Sequence, residues 1–260
     1  MSRPAELSRN LAATRNRIAA ACAAAGRDPA EITLIAVTKT YPADDVLALA
    51  GLGLTDFGEN RDQEAAPKAA AVAAAGQPVT WHFIGQLQTN KAHSVARYAN
   101  LVHSVDRVRL VRALGAAARA AARELTCLVQ VSLEAGGLGA CDLGAGDADG
   151  RAPVAERTAG HAAQARGGVP PVMLAEVAAA IEAEEGLTLG GLMAVAPRFA
   201  DPKGAFAPLR ELSDVVRSVN PSATVVSAGM SGDLEAAIEW GATHLRIGTA
   251  LLGDRRPPVL

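Results

Sequence analysis

Aromatic residues are scarce in this 260-residue chain, at 3% (two Trp, two Tyr, four Phe), so a core must be filled with Ala, Val, Leu and Ile. That filling suits helices packed on β-branched strands. Cysteine is scarce as well. Cys22, Cys127 and Cys141 are odd in number, far apart and without a C-x-x-C spacing, which speaks against a disulfide framework or a zinc site and fits a reducing compartment. Positive charge is not in excess: 25 Lys and Arg against 27 Asp and Glu leave a net charge of −2 and a pI near 6.2. No overall field therefore gathers phosphates, and nucleic acid is not an expected partner. No run of about 18 apolar, uncharged residues occurs, so no membrane span is expected. Arginines at positions 3, 9, 15 and 17 interrupt the N-terminal stretch, where a secretory signal needs an unbroken apolar run. It reads as a folded amphipathic helix of a cytoplasmic protein; its Arg-rich, acid-poor character leaves an organelle-targeting segment as the alternative.

Half of the residues are apolar, enough at this length for one sizeable core and a single domain over 1–260. Short apolar, β-rich runs bounded by turn residues lie at Ile32–Lys39, Asp56–Glu59, Val79–Gly85, Leu101–Asp106, Thr126–Leu133, Leu187–Ala196, Thr224–Ala228 and His244–Leu251. Segments of helical period alternate with them: Asp44–Ala50, Arg61–Ala75, Asn90–Ala99, Arg107–Glu124, Val172–Glu185, Lys203–Val219 and Gly232–Trp240. This is the pattern of an α/β protein of the (β/α)8 or TIM-barrel type with an extra N-terminal helix, a doubly wound open sheet being the alternative. The segment Glu134–Pro171, rich in Gly, Ala, Asp and Pro without periodicity, reads as a mobile loop insertion. Within it, Gly144-Ala145-Gly146 and Asp147-Ala148-Asp149-Gly150 match dinucleotide and calcium loops only in fragments and read as turns.

Barrel chemistry gathers at the carboxyl ends of the strands. Lys39 closes the run Ile32–Thr38 there. Apolar surroundings disfavour its ammonium form, and a neutral amine condenses with an aldehyde; a solvated lysine at a strand end is the plain alternative. After the last two strands stand Ser227-Ala228-Gly229-Met230-Ser231-Gly232-Asp233 and Arg246-Ile247-Gly248-Thr249. Barrels frequently hold a phosphate in those two loops, through glycine N–H groups, hydroxyls and a helix N-terminus; Ser231 or Asp233 as a simple helix cap is the plain alternative. An amine and a phosphate cradle together specify a ligand with an aldehyde and a phosphate. Pyridoxal 5′-phosphate (PLP) is one such ligand, and a sugar phosphate on a Schiff-base aldolase is another. His82 reads as a hydrogen-bonded core residue, and His93, His103, His161 and His244 have no metal-ligand spacing.

The segments AVTKTYP (36–42), FGENRDQE (57–64), WHFIGQLQTNK (81–91), HSVD (103–106), GLMAVAP (191–197), SAGMSGDLEAAIEWGAT (227–243) and LRIGTALLG (245–253) resemble the PLP homeostasis protein family in order and over nearly the whole chain. The resemblance implies a barrel like the alanine racemase N-terminal domain and a Schiff base of PLP on Lys39. It also implies ring or phosphate contacts from Asn60, Met230, Ser231, Arg246, Gly248 and Thr249, with Ser227 and Gly229 as further cofactor-binding residues. The family pattern is interrupted between Leu133 and Val172.

By the same resemblance Arg246 faces the pyridine nitrogen. A permanent cation accepts no proton from that nitrogen, whereas strong electron sinks pair it with a carboxylate. Two-base racemisation also needs a second acid/base. The racemase architecture takes it from a tyrosine of a further domain, which this chain is expected to lack; neither Tyr41 nor Tyr98 is placed for the role, and Tyr41 is expected beside the cofactor or on the rim. The chain is therefore expected to be a monomeric PLP carrier and buffer that serves PLP-dependent apoenzymes without established turnover. A PLP-dependent amino-acid racemase and a PLP-responsive regulatory scaffold are the alternatives.

Overall fold

The computed structural model describes residues 2–133, 167–197 and 201–253. Eight short, largely buried strands pair in parallel, and the last returns to the first. They are β1 (Thr33–Val37), β2 (Asp56–Glu59), β3 (Thr80–Phe83), β4 (Leu101–Val105), β5 (Leu125–Ser132), β6 (Leu187–Val195), β7 (Val225–Ser227) and β8 (His244–Ile247). Closure removes every sheet edge. It is set by β1 pairing with β8, Thr33 level with His244 and Ile35 with Arg246. The helices α1 (Arg3–Ala25), α2 (Ala43–Gly51), α3 (Asp62–Ala74), α4 (Ala92–Val95), α5 (Val108–Ala120), α6 (Leu174–Glu182), α7 (Pro202–Phe206), α8 (Leu209–Val219), α9 (Leu234–Glu239) and α10 (Thr249–Leu252) complete the described chain. This is the expected (β/α)8 architecture with an extra helix in front.

That extra helix has a structural task. Leu7, Leu11, Thr14, Ile18, Ala21 and Cys22 recur at three- and four-residue steps and form one buried stripe on α1. The stripe packs α1 against α2, α9 and α10. Arg3 adds a two-pronged pair to Asp45 on α2, at 3.0 and 2.7 Å, and that carboxylate raises the guanidinium pKa further.

Several expected boundaries change. The run expected as strand to Leu251 ends at Ile247, and Thr249–Leu252 is helical; a short continuous apolar run does not distinguish buried strand from buried helix. The helix expected over Lys203–Val219 is two helices, α7 and α8, parted at Pro208, which cannot donate to the helix ladder and crowds the preceding turn. The helix expected over Asn90–Ala99 is reduced to a 3-10 turn at Thr89–Lys91 and the single turn α4. Of the segment expected as irregular over 134–171, residues 134–166 lie outside the described residues, including the turns at 144–150. Val169 is not irregular: it bridges Val131 in parallel, donating to Gln130 O and accepting from Ser132 N–H, both at 2.8 Å.

The helix α5 buries Leu110, Val111 and Leu114 against the barrel. Leu114 is fully buried, so Leu114→Ala should cost about 2–5 kcal/mol of unfolding free energy in urea. Leu114 is not among the residues that line the barrel mouth, so ligand affinity should stay unchanged.

Candidate functional site

Lys39 lies just past β1, in a turn. The strand stops at Val37, so the expected run to Lys39 ends two residues early. Tyr41 N–H donates to Thr38 O at 3.0 Å and closes the turn around Lys39 and Thr40. Thr40 has φ 69°, a left-handed conformation that is costly for a β-branched residue and is ordinarily given to glycine or asparagine in this turn position. The strain is held by fixed partners. Thr40 N–H donates to Glu64 Oε2 at 3.0 Å, and the Lys68 ammonium donates to Thr38 O at 2.8 Å.

Lys68 and Glu59 form a buried ion pair under that turn. Thr38 Oγ1 also donates to Glu59 Oε1, at 2.7 Å. Burial pushes the Glu59 carboxyl pKa up, and the opposing pull of Lys68 and Thr38 does not cancel it. Glu59 Oε2 and the neighbouring Asn60 Oδ1 are buried with no hydrogen-bond partner among the described residues. The Asn60 carbonyl sits only 2.1 Å from where a Cβ on Gly85 would stand. A glycine at position 85 is therefore required for β2 and β3 to end side by side.

Across the mouth, the loop after β7 continues its pairing with β8: Ala228 N–H donates to His244 O at 3.1 Å and Arg246 N–H to Gly229 O at 3.0 Å. Gly229 has φ 91°, and a Cβ there would meet Ala237 at 2.6 Å and Leu245 at 2.9 Å, so no other residue fits. Asp233 stands at the N-cap position of α9, but its side chain makes no capping bond to the helix. Its carboxylate accepts from Met230 N–H upstream, at 2.5 Å, and tightens the loop. Helix α1 braces the same loop from outside. Arg17 donates to Ser231 O at 2.6 Å and grips Glu235 with two bonds of 2.5 and 2.6 Å, and the Glu235 carboxyl pKa is lowered by that Arg17 hydrogen bond. Arg3 and Asn10 donate to the carbonyls of Leu252 and Leu251 on α10, both at 3.0 Å.

Between the two sides lies a cavity of about 280 Å³, lined by Val37, Lys39, Tyr41, Ile84, Met230, Ser231, Gly232, Arg246, Gly248, Thr249 and Gly253. Six of the nine candidate residues meet there: Lys39, Met230, Ser231, Arg246, Gly248 and Thr249. The other three stand back from it. Ser227 lies beneath Arg246, which donates to Ser227 O at 2.7 Å, to Ser227 Oγ at 2.6 Å and to Ala194 O at 2.9 Å. Gly229 shapes the loop through its backbone, and Asn60, just past β2, has its carbonyl against Gly85, next to the lining residue Ile84. Tyr41 is on the rim, its hydroxyl donating to Gly253 O at 2.9 Å. Tyr98 lines a different groove, with Ala66, Ala69 and Arg97 on α3 and around α4. Glu59, Lys68 and Ile84 escape a reading of the sequence: the ends of β2 and β3 bring Glu59 and Ile84 to the site, and the packing of α3 on the turn brings Lys68. Among the described residues no cluster of His, Cys, Asp and Glu could hold a metal ion, and no helix is long and apolar enough to cross a membrane. An amine, a guanidinium and two hydroxyls facing one cavity can hold an anionic ligand that carries a carbonyl group.

Known proteins resemble this chain in sequence and fold. The family model for the alanine racemase N-terminal domain matches residues 157–256. The pyridoxal phosphate homeostasis protein of Mycobacterium tuberculosis is 42% identical over 271 residues, covering 98% of this chain and 95% of the relative. PipY of Synechococcus elongatus, whose structure was solved with PLP bound, aligns with a TM-score of 0.73 and 27% identity over 95% of this chain and 100% of PipY. Alanine racemase of Streptomyces lavendulae, at 18% identity and a TM-score of 0.63, shares the fold over 93% of this chain and 56% of the racemase.

Removing Lys68 should strand a buried carboxylate. Lys68→Met is expected to lose about 3–5 kcal/mol of stability at pH 7. The folded-state pKa of Glu59 is raised, so the folded protein takes up a proton before the unfolded chain does, and stability falls as pH rises through that window. The urea midpoint of Lys68→Met should therefore recover, relative to wild type, as pH is lowered from 7 toward 5. A deficit independent of pH would contradict the pairing.

Proposed function

Because the chain belongs to the pyridoxal phosphate homeostasis protein family, we propose that it binds PLP in the barrel-mouth cavity and acts in PLP homeostasis as a carrier and buffer, through a reversible Schiff base on Lys39. PLP supplies an aldehyde that an amine captures and water or another amine releases. One observation carries this reading: Lys39, Arg246, Ser231 and Thr249, from opposite ends of the sequence, line the same cavity of about 280 Å³. That volume is close to the lower end for small-ligand sites, which begin at roughly 300 Å³.

The residues present fit the cofactor. Ser231 and Thr249 bring hydroxyls, and Gly232 and Gly248 border the same space, so the phosphate belongs on this side. Val37, Ile84 and Met230 form the apolar walls for a flat ring. Asn60 Oδ1, buried without a partner among the described residues, is an acceptor that a ligand hydroxyl would satisfy. Arg246 belongs opposite the ring nitrogen. Its guanidinium only donates, so it cannot keep a proton on that nitrogen, and the cofactor's capacity to draw electrons from a substrate is left weak. That favours holding and releasing PLP over turning a substrate over.

The setting proposed with this role is the cytoplasm, with a single-domain monomer as the working form and PLP-dependent apoenzymes as recipients.

Reduction with borohydride in the presence of PLP should attach the cofactor covalently to Lys39. The purified complex should absorb at about 410 to 430 nm, and Lys39→Ala should lose that band. Wild-type protein that remains unlabelled, or a band that survives Lys39→Ala, would end the proposal.

A further inference from the structure

Barrels of this kind fill their interior with layers of branched aliphatic side chains. Here polar side chains from five strands meet instead. Asp56 on β2 lies 2.9 Å from His82 Nε2 on β3; His82 Nδ1 lies 2.9 Å from His103 Nε2 on β4; and His103 Nδ1 lies 2.9 Å from Ser227 Oγ on β7. Ser227 Oγ then lies 2.6 Å from the guanidinium of Arg246 on β8. His82, His103, Ser227 and Arg246 are all buried, and Asp56 is half-buried. The line begins at a hollow of about 640 Å³ at the amino end of the barrel, where Asp56 and Arg15 are the charged lining residues. It ends at the cavity proposed for PLP.

The Asp56 end sets the direction for a line of neutral imidazoles. A guanidinium can only donate and an ionised carboxylate can only accept, whereas a hydroxyl can do both. With one proton on each ring, His82 Nε2–H donates to Asp56, His103 Nε2–H donates to His82 Nδ1, and Ser227 Oγ, which accepts from Arg246, gives its own proton to His103 Nδ1. Bonds aligned in one sense polarise one another in the same direction.

The surroundings agree with that charge pattern. Burial, then His82, then Arg246 hold the His103 pKa well below the ordinary value. His244, which faces His82 from β8 with ring centroids 6.3 Å apart, is lowered to about 4 by burial and His82. It is uncharged at neutral pH and bonded to Thr243 Oγ1 at 2.9 Å. Burial raises the Asp56 pKa, but hydrogen bonds from His82 and Thr55 outweigh it, and the carboxyl stays ionised below its usual range.

We infer that Asp56, His82, His103 and Ser227 are positioning residues for Arg246: a one-way hydrogen-bond chain through the barrel that orients the guanidinium at the ligand cavity and couples it to the charge of Asp56 at the opposite end. The part that concerns the ligand rests on the PLP reading.

Two measurements test the chain. In the unliganded protein at pH 7, nitrogen NMR should show the Nε2–H tautomer for both His82 and His103; an Nδ1–H form at either overturns the inference whatever the ligand does. Asp56→Asn keeps an acceptor and removes the charge. It should weaken PLP affinity by at least about threefold, and by less than about twofold in an Arg246→Ala background, because residues without direct contact otherwise act additively. Equal losses in both backgrounds overturn the inference. If wild-type protein binds no PLP, that failure belongs to the binding proposal alone. The tautomers and the Arg246 guanidinium signals, which should shift in Asp56→Asn, then decide the chain, and unshifted signals overturn it.

Discussion

The pairing of β8 with β1 is the contact on which the site depends. Thr33 lies level with His244 and Ile35 with Arg246, so the turn after β1 and the loops after β7 and β8 emerge side by side. Residues about two hundred positions apart thereby share one cavity. Without closure, Lys39 and Thr249 would leave opposite edges of an open sheet, and neither would have a partner for ligand chemistry. The short strands accept this geometry because their apolar side chains are buried on both faces, and a closed cylinder exposes no edge.

Closure alone sets the neighbourhood and leaves the orientation to be fixed. Three separate devices do that, each built from charge or hydrogen bonding. The Glu59–Lys68 pair and Glu64 hold the strained turn that carries Lys39. Arg17, Arg3 and Asn10 on α1 tie down the loops on the far side. The line from Asp56 to Ser227 stands under Arg246. Such networks add little net stability over an apolar core, and their recognised use is to specify one arrangement. The proposed role, holding an aldehyde within reach of a single amine, has that need.

The architecture was legible because alternation of strand and helix is written in apolar periodicity, and β2 appears with the boundaries expected, Asp56–Glu59. Lys39 was legible because an amine at the end of an apolar run is conspicuous. The end of β8 was not: Ile247 to Leu252 is apolar in either conformation, and the departure into helix at Gly248 has no periodic signal. The supporting network was hidden for another reason. His82 and His103 stand 21 residues apart, and His103 and Ser227 stand 124 apart, so only three-dimensional closure makes them neighbours. Ser227 was expected at the cofactor and lies beneath Arg246, since a motif read along the chain does not distinguish a side chain that touches a ligand from one that supports its neighbour.

The central claim is that one small molecule spans the barrel mouth, bonded to the turn after β1 and gripped by the loops after β7 and β8. A crystal structure of the protein grown with PLP tests it most directly. Continuous density is expected from Lys39 Nζ to the cofactor, with the phosphate against the Ser231 and Thr249 hydroxyls and the ring nitrogen toward Arg246. PLP attached to another lysine, or a phosphate seated away from those two loops, would contradict it.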